Sequence, residues 1–275
     1  MLMQSPGEFV SSYGPIGAGK VQAKGMRLFL LAVLAGFLIG MGGAAAGTAS
    51  FSLTSPSLVR LVSGLLFPFG LITVVLTGAE LFTGNCLISI SVLSGQASLG
   101  GMVRNLCLVY LGNLVGASAL AAGVVFSGQL DLSGGALAVS VIETAAAKCA
   151  LSPGSAFLRG VLCNILVCVG VMCALCAKDV PGRAVGAFCP VCFFVVCGFE
   201  HCIANLYYIP AGLFARHLPQ YEALALEAGA DLSALNLTGF LLGNLLPVTL
   251  GNLLGGCAFA ALMWYGHKKD YSSPV

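Results

Sequence analysis

Apolar residues run through this chain in six long blocks divided by short polar stretches. A helix needs about 20 apolar residues to cross a bilayer core. The blocks at 28–50, 102–126, 157–177 and 237–265 meet that requirement as simple spans. The block at 57–93 is too long for one simple span, is interrupted by Pro68, Gly70, Gly78 and Gly84, and carries Glu80 in its middle. The block at 184–215 is interrupted by Pro190, Gly198 and Pro210, and holds Glu200 beside His201 near its centre. Proline and glycine break helices, and broken helices survive at membrane depth only where neighbours or a cavity satisfy the freed backbone. The pattern predicts an all-α membrane protein with six transmembrane helices, the second and fifth broken. It gives one six-span domain at 26–266, a polar N-terminal segment at 1–25 and a short tail at 267–275.

Composition supports that reading. Hydrophobic residues make up 58% and charged residues 8%, too few polar groups to cover a soluble globule. A net charge of +2 without a basic stripe excludes a nucleic-acid partner. Most of the twelve cysteines fall inside apolar blocks, where cysteine acts as a small hydrophobe. Cys189 and Cys192 have the spacing of a metal or redox pair, but no second pair or paired histidines accompany them, so no metal or cofactor is expected. The apolar run that follows the polar start is too long for the core of a cleavable signal peptide. With six spans, Lys20, Lys24, Arg27, Arg104, Lys178, Arg183, Lys268 and Lys269 fall on one side, against Arg60, Lys148, Arg159 and Arg216 on the other. The positive-inside rule then places both termini in the cytoplasm.

The chain repeats itself. Residues 105–117 and 244–256 are identical at eight of thirteen positions, and 78–85 shares its Gly, Glu and Asn with 198–205 at equal spacing. Two copies of three spans, about 26–127 and 155–266, must enter the membrane from opposite sides, because three is odd. In inverted repeats the site lies near the midplane, where the broken spans meet. Helix N-termini and freed N–H groups there favour a small anion. An ionisable group at that depth costs about 2.5–3.5 kcal/mol, so Glu200 and His201 are candidates for function. Bland roles compete with these: His201 as a bridge between half-helices, Glu80 and Glu200 as acceptors for freed backbone N–H groups, Asn113 and Asn252 as glue between helices.

The stretches Ala79–Asn85, Lys148 with Leu151 and Ser152, Phe157–Cys168 and Gly198–Tyr207 resemble the formate/nitrite transporter family, pentameric channels for small monovalent anions. The resemblance implies an aquaporin-like fold with a pore in each protomer of a homopentamer, set in the cytoplasmic membrane and surrounded by lipid. It implies that His201 faces mid-pore with Thr83 opposite, held by Glu200, Asn205 and Asn164. Phe67, Leu71 and Phe194 would form the outer constriction, Leu81 and Phe82 the inner one, and Lys148 would draw anions into the outer vestibule. A weak-acid anion (formate, nitrite or hydrosulfide) would cross the apolar ring as the neutral acid, taking a proton in the vestibule or from His201, since a bare ion would meet a large desolvation penalty. Hydrosulfide-specific conduction and a membrane-embedded redox protein are the alternatives. A water channel is disfavoured because it needs paired Asn-Pro-Ala loops, and the chain has none.

Overall fold

The structure, a computed structural model, describes residues 3–267, so Lys268, Lys269 and most of the tail read from the sequence lie outside the described residues. Helix α1 (Pro6–Gln22) occupies the stretch that looks merely polar in sequence. Ser5 and Glu8 cap it reciprocally, with the Glu8 amide donating to Ser5 Oγ and the Ser5 amide to the Glu8 carboxylate, and Pro6 opens the first turn. Its apolar side buries Phe9 and Tyr13 against the helical core, so the helix is docked.

The first span is α2 (Gly25–Ser50). The second comprises α3 (Pro56–Leu66) and α4 (Phe69–Thr77), then a non-helical break at 78–81, then α5 (Phe82–Asn85) and α6 (Ile88–Leu93). The third span is α7 (Leu99–Phe126). A short helix α8 (Ala136–Cys149) follows, and then the fourth span α9 (Pro153–Cys176). The fifth is split into α10 (Val180–Cys197) and α11 (Cys202–Arg216). After α12 (Pro219–Glu227), the sixth span starts as a π turn at Gly239–Leu245 and continues as α13 (Leu246–His267). Pro247 has no N–H to return to the preceding turn, which accounts for the looser winding before it. Among the described residues, six helical stretches are long and apolar enough to cross a membrane.

Both breaks have one local cause. Gly78 and Gly198 adopt φ of +67° and +70°, a left-handed turn that stops the preceding helix and that glycine enters without a Cβ penalty. Two close packings hold the spans around them. Gly112 and Gly116 of α7 lie against backbone atoms of Phe29 and Val33 in α2, while Gly251 and Gly255 of α13 lie against those of Phe157 and Val161 in α9. Without side chains at these points the backbones touch, which is how helices associate where lipid offers no hydrophobic drive. The α2–α7 and α9–α13 pairs occupy corresponding places in the two repeats, so each broken span is held by the same device.

Candidate functional site

Each break is built from the same parts. In the second span, Asn113 Oδ1 accepts from the Phe82 amide at 3.0 Å, and Asn113 Nδ2 donates to the carbonyls of Ala32 and Glu80. In the fifth, Asn252 Oδ1 accepts from the Cys202 amide at 2.8 Å, and Nδ2 donates to the carbonyls of Gly160 and Glu200. The Glu80 and Glu200 amides complete the accounting by donating to the carbonyls of Leu31 and Arg159. The asparagines therefore satisfy the backbone groups that the sequence assigned to the carboxylates, and they do more than join helices.

The carboxylates are free for a different task. Glu200 receives Lys148 Nζ at 2.9 and 3.1 Å and Asn205 Nδ2 at 2.7 Å, while Asn205 also donates to Asn244 Oδ1 and Asn244 Nδ2 to the Lys148 carbonyl. Glu80 receives Lys20 Nζ at 2.7 Å and Asn85 Nδ2 at 2.7 Å, while Asn85 also donates to Asn105 Oδ1 and Asn105 Nδ2 to the Lys20 carbonyl. The two clusters share these four bonds and differ in detail: Lys20 also donates to Asn85 Oδ1 at 3.1 Å, whereas Lys148 reaches both Glu200 oxygens and, among the described residues, the buried Asn205 Oδ1 has no partner. Lys20, not singled out in the sequence, is thus the counterpart of Lys148, and α1 the counterpart of α8. The signal was there to read: Lys20 stands five residues before Gly25 and Lys148 five before Pro153.

Two cavities approach the middle of the protein from opposite sides. The one on the side the charge rule makes outer, of about 410 Å³, is lined by Phe67, Phe194, Lys148, Glu200, His201 and Asn205 among others. The inner, of about 120 Å³, is lined by Tyr13, Lys20, Leu71, Leu81 and Asn85 among others. Between them His201 Nε2 and Thr83 Oγ1 are 2.9 Å apart, both buried, so the two breaks touch through these side chains. The tautomer follows from the bonds: the Ala204 amide donates to His201 Nδ1 at 3.1 Å, so Nδ1 carries a lone pair and the ring proton sits on Nε2. That N–H donates to Thr83. Phe67 and Phe194 meet edge to face with centroids 5.8 Å apart, and Phe194 stacks on the His201 ring.

The other expected site residues fall in different places. Leu71 faces the inner cavity with Leu81, whereas Phe67 and Phe194 face the outer one. Phe82 packs edge to face on Tyr110 at 5.0 Å and is absent from the lining of both cavities, a position fixed by the Asn113 bond to its amide. Asn164 donates to the Asn252 carbonyl at 2.6 Å and lies against Cys86 Sγ, so it braces the fifth-span break from behind. Lys148 does line the outer cavity, with its ammonium bound to Glu200 and set over the Tyr208 ring. Among the described residues no cluster of three or more His, Cys, Asp or Glu side chains is placed to hold a metal ion.

Comparison with known proteins agrees with this architecture. The sequence profile described as formate/nitrite transporter matches residues 8–266. The formate channel FocA of Haemophilus influenzae is 40% identical over 202 residues, 72% of this chain and 71% of that protein. A solved structure described as a pentameric formate channel with formate bound superposes with a TM-score of 0.78 at 34% identity, covering 88% of this chain and 96% of its own. Another, described as an FNT family ion channel, gives 0.81 at 27% identity and covers 95% and 99%.

Proposed function

Because the chain belongs to the formate/nitrite transporter family, and is thus a multi-pass membrane transporter and no enzyme, we propose that it conducts small monovalent weak-acid anions, with formate, nitrite and hydrosulfide as the candidates. The observation that carries this reading is the His201–Thr83 contact, the polar point between two cavities otherwise separated by Phe67, Phe194, Leu71 and Leu81. An aromatic and aliphatic ring of this kind opposes a bare ion, because moving a charge out of water costs far more than moving a neutral molecule. A weak acid solves the problem by crossing protonated.

His201 suits that passage as a hydrogen-bond donor. Its Nε2–H can turn from Thr83 Oγ1 to a permeant oxygen or sulfur while Nδ1 keeps the cap on α11. A second ring proton on Nδ1 would face the Ala204 amide donor and break that cap. The proton that neutralises the permeant therefore comes from the vestibule water, and His201 holds the species in transit. Lys148 and Lys20 keep the two buried carboxylates neutralised and so permit an anion to approach each break. The pentameric relative supports a homopentamer with one pore per protomer, lipid filling the surround. The charge asymmetry of the loops supports cytoplasmic termini in the cytoplasmic membrane.

The test is a flux panel in proteoliposomes with formate, nitrite, hydrosulfide, lactate and chloride at pH 5.5 and 7.5. Weak-acid flux above that of empty liposomes, increasing at the lower pH, is expected; no such flux for any of them defeats the reading. His201→Asn belongs in the same panel, because asparagine retains an N-cap acceptor for Ala204 while removing the Nε2–H. Weak-acid flux is expected to fall about tenfold, as one lost donor in a dry site is worth about 1–3 kcal/mol, with an altered pH profile. An unchanged profile would leave the histidine a scaffold.

A further inference from the structure

We propose that Glu143 is a specificity-determining residue of the outer vestibule: its unpaired carboxylate thins out anions at the mouth and leaves neutral acids unaffected. The proposal rests on the channel reading above and deepens it. Glu143 lies on α8, exposed, in the lining of the same cavity as Lys148 and His201. Among the described residues it has no ion pair or hydrogen bond, in contrast to the other acids and bases around it.

Those neighbours cancel or are engaged. The Lys148 ammonium is bound to both oxygens of Glu200, so the pair contributes little net field at the mouth. His201 has both ring nitrogens occupied, by the Ala204 amide and by Thr83. On the α3 wall, the Arg60 guanidinium donates to the Val196 carbonyl at 3.1 Å and lies beside Gly198, which lines the cavity. Among the charged residues lining this cavity, Glu143 is thus the one without a partner. The inner cavity has no such acid: its lining includes Tyr13 and Lys20 and no carboxylate. The two mouths, alike in their buried clusters, differ at this exposed acid.

A unit charge about 8 Å away across water changes the local concentration of a monovalent anion about two- to threefold at low ionic strength, and much less when salt shortens the Debye length below that distance. A neutral acid feels none of it. Glu143 therefore shifts the traffic at the outer mouth toward the protonated permeant.

The experiment measures initial formate uptake at pH 7 by the full chain and by Glu143→Gln and Glu143→Asp, each at about 10 mM and 500 mM ionic strength. Glu143→Gln is expected to raise the charge-carrying part of formate uptake, read with a voltage-sensitive dye, about two- to threefold at low salt with electroneutral uptake unchanged, and to match the native protein at high salt. Glu143→Asp keeps the charge and is expected to behave as native. An unchanged charge-carrying uptake for Glu143→Gln at low salt, a change that persists at high salt, or an aspartate variant that copies the glutamine variant would each overturn the proposal. Native protein without formate flux would overturn the channel reading together with it.

Discussion

His201 shows how one side chain can be both scaffold and instrument. Its Nδ1 starts α11 by accepting from Ala204, and the same bond fixes the proton on Nε2, where it faces Thr83. Lys148 was expected from the family resemblance as a free attractor of anions; its bond to Glu200 gives it a structural duty as well. With Lys148 18% and Glu200 6% exposed, removing one partner leaves a nearly buried charge alone. Lys148→Met is expected to destabilise the protein by about 3 kcal/mol, and the double variant Lys148→Met, Glu200→Gln to recover most of that loss. Thermal unfolding in detergent measures the cycle. Additive losses would mean that the pair is not the unit the distances imply. The sequence contained all these residues, but a bond between residues 52 positions apart is invisible in it.

At the scale of elements, the break and its support are separable. The break is local: Gly78 and Gly198 sit at positive φ, and their motif is legible in a stretch of eight residues. The support comes from elsewhere, through asparagines of the third and sixth spans. Helix α1 was not legible at all as an element, because its capping box and the few apolar residues it buries are scattered through a polar stretch. Only docking against the core reveals Phe9 and Tyr13 as packing residues. The small-residue contacts are the most exacting test at this scale. A Cβ on Gly255 would collide with the Val161 backbone in α9, which cannot move aside as a flexible side chain could. Gly255→Leu is expected to prevent α13 from seating and to abolish recovery of folded protein, while Gly123→Leu, with open space around it, is expected to be tolerated. Fluorescence-detected size-exclusion chromatography distinguishes them; equal profiles would remove the close packing from the account.

For the whole molecule, orientation is the property that charge decides. The cytoplasmic assignment predicts that a green fluorescent protein fused after residue 275 fluoresces and that an alkaline phosphatase fused there is inactive. The reverse pattern would invert the two vestibules and place Glu143 at the inner mouth. The two-fold relation between repeats also reaches further than the spans. It includes the short helices α1 and α8 and their lysines, so each half is a helix, a span, a broken span and a span. Symmetry of this kind gives a pore two similar mouths, and the departures from it, His201 where the other repeat has Leu81 and Glu143 on one rim, are where the two sides acquire different chemistry.

The sequence by itself determined six spans, the two breaks, the repeat and the family. Each rests on local pattern: run length, glycine and proline positions, and motif spacing. Tertiary structure decided which groups those breaks use. Backbone N–H groups freed by a broken helix take the best acceptor within reach, and reach depends on how neighbouring helices pack. Packing brought Asn113 and Asn252 to the breaks and turned Glu80 and Glu200 toward lysines far away in the chain. It also parted Phe82 from the inner cavity and left Glu143 unpaired at the mouth of the outer one.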